Sequence, residues 1–429
     1  MNKIRQYFST LELTRGFFIA LLSSSFIYLN HWGISIPILN TFLALLSLYL
    51  LLSSNTKTWF ISGTLIGLFW FWWITVSFKI YEMSWAIPIG LLVISLSYGG
   101  FFWLLAYLSE KIPALFTPHT TLFSLLLKAT GLLTFSYLHP FGFDWFKPEL
   151  MFIHSYIGIE KWQFFIILLS FILSIWKQRF IYVLLVLFAY QPHPHVQIKI
   201  PESIELVSTY TSVKDKWNKE LHVKTFQKLF KTIDTAIEKK KKLIVLPESV
   251  FPIFLKHTPP LLNALREKSK QISIVTGALY WENKTPHNST YIFTQGKVQI
   301  ANKVLLVPFG ESNPLPNFLS KWVNKVFYDN AVDYKASKTI SDYQIDKNIY
   351  RNAICFEATS EKLYSKDKNG SYPKNMIVLS NNGWFTPSIE PTLQRLLLQY
   401  YSQKYGTTIY HSINMSDSYM IQDGNIAEK

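Results

Sequence analysis

Three apolar runs in this 429-residue chain end in residues able to do chemistry. Glu248 lies in IVLPESVFP, Lys303 in ANKVLLVPFGE and Cys355 in NAICFEAT. Cys355 is the only cysteine, so no intrachain disulfide is possible and cysteine usage says nothing of the redox compartment. Taken singly, each has an ordinary reading: a small buried hydrophobe, a strand-end carboxylate, a surface lysine. Taken in this order, they supply the parts of acyl chemistry. A thiol needs a base to become the attacking thiolate, and a glutamate can be that base. The tetrahedral intermediate needs a cation or N–H donors at its oxyanion, and a lysine meets that need.

Such residues must be positioned by strands that end near one another. IELVSTY (204–210) is a strand pattern, and KKLIVLPES is a buried strand ending in a polar turn. Residues 218–240 form a Lys-rich amphipathic helix whose charges read as a solvated face rather than a nucleic-acid patch. A second helix covers 259–270, ISIVTGALY is the next strand, and STYIFTQGKVQIANKV turns as a hairpin at Gly296. IYRNAICFEAT and NMIVLSNNGWF are further strands ending in polar residues. PTLQRLLLQYYSQKYG is an amphipathic helix with proline at its start and glycine just past its end. TTIYHSIN is another strand, followed by a polar tail. This alternation predicts an α/β layered domain with its functional residues at strand ends and in loops.

The rest of the chain is of another kind. Overall it is 49 % apolar, 17 % aromatic and only 16 % charged, which excludes a disordered chain. Residues 1–195 hold 17 charged residues and ten of the 14 tryptophans; the remaining 234 residues hold 52 charges. An apolar N-terminal part therefore precedes a soluble-looking one, and they join near AYQPHPHVQIKIP. His193 and His195 there suggest a metal site, but no cysteine or carboxylate stands at ligand spacing, so the stretch reads as a linker.

Seven apolar runs occupy the first part, roughly 15–31, 35–53, 58–78, 86–108, 120–138, 161–176 and 179–191; the last two are short for a span. The first lacks a cleavage site of small residues and does not read as a signal peptide. Basic residues stand at Lys3, Arg5 and Arg15 and recur after the second, fourth and sixth runs at Lys57, Lys111, Lys177 and Arg179. That bias predicts a cytoplasmic N-terminus and, after seven spans, residues 196–429 on the opposite, periplasmic side. The chain ends in DGNIAEK without an eighth apolar run, so its C-terminus is expected there too. Lys128 inside the fifth run is either a functional intramembrane charge or a snorkelling lysine. LFWFWWITVSF is either the lining of a lipid cleft or an interfacial aromatic stripe. The net charge of +15 suits an anionic membrane surface; no nucleic-acid partner is expected.

The motifs LPES, KxxLVPFGE and ICFE resemble the Glu–Lys–Cys signature of the nitrilase (carbon–nitrogen hydrolase) superfamily. Placed after seven apolar runs, they resemble the bacterial apolipoprotein N-acyltransferase family over essentially the whole chain. The resemblance implies a membrane domain of about seven helices at 1–195 and a nitrilase-like αββα sandwich at 196–429. It implies Glu248 as general base, Lys303 as oxyanion stabiliser and Cys355 as acyl-carrying nucleophile. Glu311 and Glu357 match supporting positions; Trp217, Trp384 and Phe385 match positions near the substrate pocket, though each tryptophan also suits ordinary packing. Two residues depart from the pattern, Phe356 where tyrosine is frequent and Asn382 where aspartate is frequent. The implied reaction passes an acyl chain from a membrane phospholipid, through a Cys355 thioester, to the α-amino group of an S-diacylglyceryl-cysteine apolipoprotein in the bacterial inner membrane. No cofactor and no metal are implied. The rivals are a membrane-tethered amidase that hydrolyses a small amide, and a lipid-binding or transport protein that keeps the triad as scaffold.

Overall fold

The computed structural model describes residues 8–117, 119–192, 196–282, 285–308, 310–311, 334–367 and 369–428. Lys3, Arg5, His193 and His195, on which part of the topology and linker readings rest, lie outside these residues. The chain forms two compact units. The first comprises residues 1–140, 144–194 and 387–396; the second comprises 141–143, 195–386 and 397–429.

The first unit is helical. Its α-helices are α1 Thr10–His31, α2 Pro37–Leu52, α3 Thr56–Phe71, α4 Ile87–Phe116, α5 Thr120–Thr134 and α6 Lys161–Lys177, and a 3₁₀ run spans Phe180–Ala189. Each of the seven apolar runs thus contains a helix. Among the described residues, Thr10–His31, Thr56–Ile80 and Ser84–Phe116 are long and apolar enough to cross a membrane. The 3₁₀ run holds ten residues, about 20 Å at 2 Å rise, against a hydrocarbon core of about 30 Å. Ser9 starts α1 with a capping box: its hydroxyl accepts from Glu12 N–H at 3.2 Å while Glu12 accepts from Ser9 N–H at 2.8 Å. Helices α3 and α4 cross so closely that a Cβ on Gly63 would meet Phe102 Cβ at 2.6 Å, and one on Gly67 would meet Tyr98 Cβ at 2.7 Å. Small residues at this spacing let two apolar helices approach without help from water.

In LFWFWWITVSF, Trp70, Phe71 and Trp73 are buried, and Trp70 meets Phe26 and Phe146 edge-on while Trp73 packs on Trp145. Trp70 and Phe71 lie in the last turn of α3 and Trp73 in the 3₁₀ turn that follows, and these three rings pack in the core of the unit, while Phe69, Trp72 and Phe78 of the same run are half-buried. Lys128, inside the fifth run, has two partners near the ends of the second and fourth runs. It is buried, donates to the Ser54 carbonyl at 3.1 Å and pairs with Glu110 at 3.1 Å. The loop after α5 also buries charge: Lys147 pairs with Asp144 at 2.8 Å and Lys161 with Glu149 at 2.7 Å. Pairing of this kind is what makes buried charge tolerable.

The second unit is a sandwich of two six-stranded sheets. The first contains β1 Ile204–Leu206, β2 Leu243–Val245, β3 Phe251–Phe254, β4 Ser273–Glu282, β5 Thr285–Thr294 and β6 Lys297–Asn302, in the order β1-β2-β4-β5-β6 with β3 beside β4. The second contains β7 Asp342–Ile345, β8 Asn348–Ile354, β9 Asn375–Asn381, β10 Thr408–Asn414, β11 Tyr419–Gln422 and β12 Asn425–Glu428, in reverse order. Pairing is parallel in β1-β2-β4 and β8-β9-β10, and antiparallel towards the other edges. Between the sheets pack Leu206, Val245, Val275 and Ile292 from one side and Tyr350, Ile377, Leu379 and Met420 from the other. The opposite face of the first sheet is covered by α8 Lys219–Glu238 and α9 Pro259–Lys268, with Leu229, Ile233 and Leu265 buried against Ile244 and Ile274. A five-residue helix, α7 Val213–Trp217, precedes α8, and α10 Glu390–Tyr405 carries the chain between β9 and β10. Exposed lysines 219, 224, 228 and 231 give α8 the solvated face expected of it. The expected polar tail is instead the β11–β12 hairpin, whose alternate residues Met420 and Ala427 reach the core.

Candidate active site

Glu248 stands in the turn between β2 and β3, pressed against β4. A Cβ on Gly277 of β4 would meet Ser249 N at 2.3 Å and Glu248 Cα at 2.8 Å, so only glycine leaves room for this turn. Lys303 directly follows β6, where its N–H donates to the Asn288 carbonyl at 3.0 Å. Its side chain is 1 % exposed. The ammonium pairs with Glu311 at 2.7 Å and lies 3.9 Å from Glu248. One buried cation therefore lies between two carboxylates. Asn288, on β5, ties the carboxylates together: its Nδ2 donates to Glu248 Oε1 at 2.7 Å and to Glu311 Oε1 at 2.8 Å. Glu311 is held in turn by Val307 N–H at 2.9 Å.

Cys355 terminates β8 at the start of a 3₁₀ turn, Cys355–Thr359. Its φ of 54° lies in the left-handed region, which a non-glycine residue adopts only where the surroundings enforce it. Glu357 provides part of that enforcement. It is fully buried; one oxygen accepts from Val304 N–H at 2.7 Å and Leu305 N–H at 3.1 Å, and the other from Ile354 N–H at 2.8 Å. The two residues after Lys303 and the residue before Cys355 are thus held by one side chain.

The electrostatics follow from burial and neighbours. Burial works against the Lys303 charge, but Glu311, Glu248 and Cys355 outweigh it and hold the ammonium above its ordinary range. Burial raises the Glu248 carboxyl, with Lys303 opposing and Glu311 adding to the rise. Burial also raises Glu357, up to about 7, against the pull of Lys303 and the backbone donors. A glutamate of raised proton affinity beside a charged lysine can take up a proton and return it, while the lysine can face developing negative charge.

The structure therefore brings Glu248, Lys303 and Glu311 into one cluster and couples Cys355 to Lys303 electrostatically. Trp217 ends α7 and is 41 % exposed. Trp384 and Phe385 follow β9 and are half-buried. Their turn is tied to the entry of α7: Asn381 Oδ1 accepts from Gly383 N–H at 3.2 Å and from Asn414 Nδ2 at 2.7 Å, and Asn414 Nδ2 also donates to the Thr211 carbonyl at 2.8 Å. Asn382 is buried and donates to Ser416 Oγ at 3.2 Å, so this amide stabilises the turn. Phe356 is buried. Two residues escaped the sequence reading. Asn288 lies within a strand where no local pattern marks it. Lys216 stands beside Trp217 in DKW, where nothing in the local sequence marks it.

The family described as "Apolipoprotein N-acyltransferase integral membrane domain" matches residues 10–192. The chain is 41 % identical over 409 residues to the apolipoprotein N-acyltransferase of Wolinella succinogenes, covering 94 % of each. It is 35 % identical over 421 residues to that of Helicobacter pylori, covering 95 % of each. Among solved structures it is similar to XC1258 of Xanthomonas campestris, a CN-hydrolase superfamily protein, with 13 % identity, a TM-score of 0.38, and 53 % of this chain and 85 % of that one covered. The chain belongs to the apolipoprotein N-acyltransferase family.

Proposed function

We propose that this protein N-acylates apolipoproteins, using Glu248, Lys303 and Cys355 as base, oxyanion stabiliser and nucleophile. The observation that supports the roles most strongly is the buried lysine between two carboxylates, coupled to the sole cysteine at a strand end of positive φ. Glu248 accepts the Cys355 thiol proton. The thiolate attacks the ester carbonyl of a membrane phospholipid, and the oxyanion forms against Lys303. The carbon–oxygen bond breaks, Glu248 returns its proton to the departing lysophospholipid oxygen, and a thioester remains. The α-amino group of an S-diacylglyceryl-cysteine then attacks the thioester and gives its proton to Glu248. The carbon–sulfur bond breaks, and Cys355 recovers the proton as the N-acyl lipoprotein leaves. Glu311 and Glu357 support the site; Trp217, Trp384 and Phe385 line the approach of the acyl chains.

Both substrates are held in a bilayer, which gives the first unit its purpose. Its seven helical runs form a membrane domain of residues 1–195 in the bacterial inner membrane, and residues 196–429 act on the periplasmic side. Exclusion of water from the thioester favours the amine over hydrolysis. Hydrolysis of a small amide is not favoured, since the relatives matching over nearly the whole chain are named as acyltransferases. The test is transfer in proteoliposomes from a labelled phospholipid to a peptide with an S-diacylglyceryl-cysteine terminus. The reading requires label on the peptide amine; release of free fatty acid alone would overturn it.

A further inference from the structure

Lys216 is the least expected residue of the second unit. It belongs to α7, a helix of five residues whose neighbouring Lys214, Asp215 and Trp217 are exposed. Lys216 itself is only 5 % exposed, and shares the buried side of α7 with Val213, three residues earlier. The helix is locked by its start: Ser212 Oγ accepts from Asp215 N–H at 3.1 Å, and the Ser212 carbonyl accepts from Lys216 N–H at 2.9 Å. A lysine on the inward side of such a turn is costly unless its charge is used.

Its use is visible in the geometry. Lys216 Nζ donates to the backbone carbonyl of Glu248 at 3.0 Å. It thereby grips the same turn that Gly277 admits. An ammonium carries three donors, and this bond occupies one. The groups facing it are Glu248 from the β2–β3 turn and Cys355 from the end of β8, both of which favour its charged form. From α8, His222 Nε2 lies 3.2 Å from the Lys216 carbonyl oxygen. Lys303 lies beyond Glu248, 3.9 Å from its carboxylate. Lys216 thus adds a second cation at the Glu248 turn, within electrostatic reach of Glu248 and Cys355. Burial opposes its charge and brings it down to about 8, with Glu248 and Cys355 acting the other way.

We propose that Lys216 is a positioning residue of the acyl-transfer site: it fixes the Glu248 turn through the carbonyl bond, and its charge favours the thiolate of Cys355. This rests on the reading of Cys355 as nucleophile, but its test does not need turnover. Because Cys355 is the only cysteine, alkylation by iodoacetamide reports on it alone in the full-length protein. A cation beside a thiol stabilises the thiolate, so removing it moves the alkylation profile to higher pH.

The experiment is the alkylation rate from about pH 5.5 to 9.5 for the wild type, Lys216→Met and Lys216→Arg, with a thermal melt of each. Lys216→Met is expected to react about tenfold or more slowly at pH 7, with its profile displaced upward, and to lose kcat more than KM. Lys216→Arg keeps the charge and is expected to follow the wild type below about pH 8. If Lys216→Met shows no cooperative melt, Lys216→Arg decides. An arginine variant that is folded yet as unreactive as a neutral site would overturn the role of charge, and so would a folded Lys216→Met variant with a wild-type profile. Wild-type protein that alkylates normally but never acquires an acyl group would sink the proposed nucleophile instead, a result readily told apart from these.

Discussion

Replacing Glu357 by glutamine asks whether one buried carboxylate holds the lysine and cysteine segments in register. The side chain is 1 % exposed and accepts from three backbone N–H groups, those of Val304, Leu305 and Ile354. Glutamine keeps one acceptor oxygen. Whichever segment that oxygen serves, its NH₂ group then faces a backbone N–H on the other, and a buried donor is left unpaired. Such a donor costs about 1–3 kcal/mol. One kcal/mol moves the melting temperature of a 150–250-residue domain by about 2–4 °C, so a fall of about 2–12 °C is expected. Activity should fall through kcat, since the Cys355 turn and Lys303 lose their common tether. A pH signature accompanies it. The Glu357 carboxyl is raised from 4.5 to about 7, so between those values the folded protein binds this proton more tightly than the unfolded chain. The stability from this group is complete below about pH 4.5 and is lost as pH rises through 7, at no more than about 1.4 kcal/mol per pH unit. The glutamine variant has no such proton, so its stability should vary less from about pH 5 to 7. Melts and kcat measured across that range read both effects. Wild-type Tm, kcat and pH slope in Glu357→Gln would refute the tether.

Lys303→Ala and Glu248→Gln should leave the protein folded in detergent, but with phospholipid-to-peptide transfer reduced roughly a hundred- to a thousandfold, the loss typical of one oxyanion donor. Glu311→Ala should also be severe, since it removes the 2.7 Å partner of Lys303; near-normal turnover would assign it to structure alone. Gly277→Ala would bring a Cβ within 2.3 Å of Ser249 N, so it should displace the Glu248 turn and lower kcat; an unchanged rate would show that the turn yields freely. Lys347→Cys in a Cys355→Ser background should react with an impermeant maleimide added from the periplasmic side of spheroplasts. Labelling only after lysis would reverse the proposed orientation.

Much of this arrangement was legible in the sequence because strand ends announce themselves. An apolar run that stops at Glu248 or Cys355 fixes where a side chain leaves the sheet, and Glu248 and Lys303 do come together. The Gly296 turn was equally plain, with Gln295 and Gly296 both at positive φ. What remained hidden depended on partners distant in sequence. Asn288 gains its meaning only from two carboxylates, 40 and 23 residues away, that meet its amide. Lys216 drew no reading from the sequence, and the partners of Lys128 were not legible there: each lysine is held by a carbonyl, and Lys128 also by Glu110. In the aromatic run at 68–78, composition does not reveal that Trp70, Phe71 and Trp73 are the buried rings. Residues 419–428 read as a polar tail because each strand of their hairpin has only four residues.

The most direct measurement is the intact mass of purified wild-type protein after incubation with a phospholipid of a single acyl chain and no acceptor. A gain of one acyl group in place of one hydrogen is predicted, mapped to Cys355, removed by neutral hydroxylamine and absent from Cys355→Ser. An acceptor peptide that becomes acylated by Cys355→Ser, or by wild-type protein that never carries the adduct, would contradict the thioester.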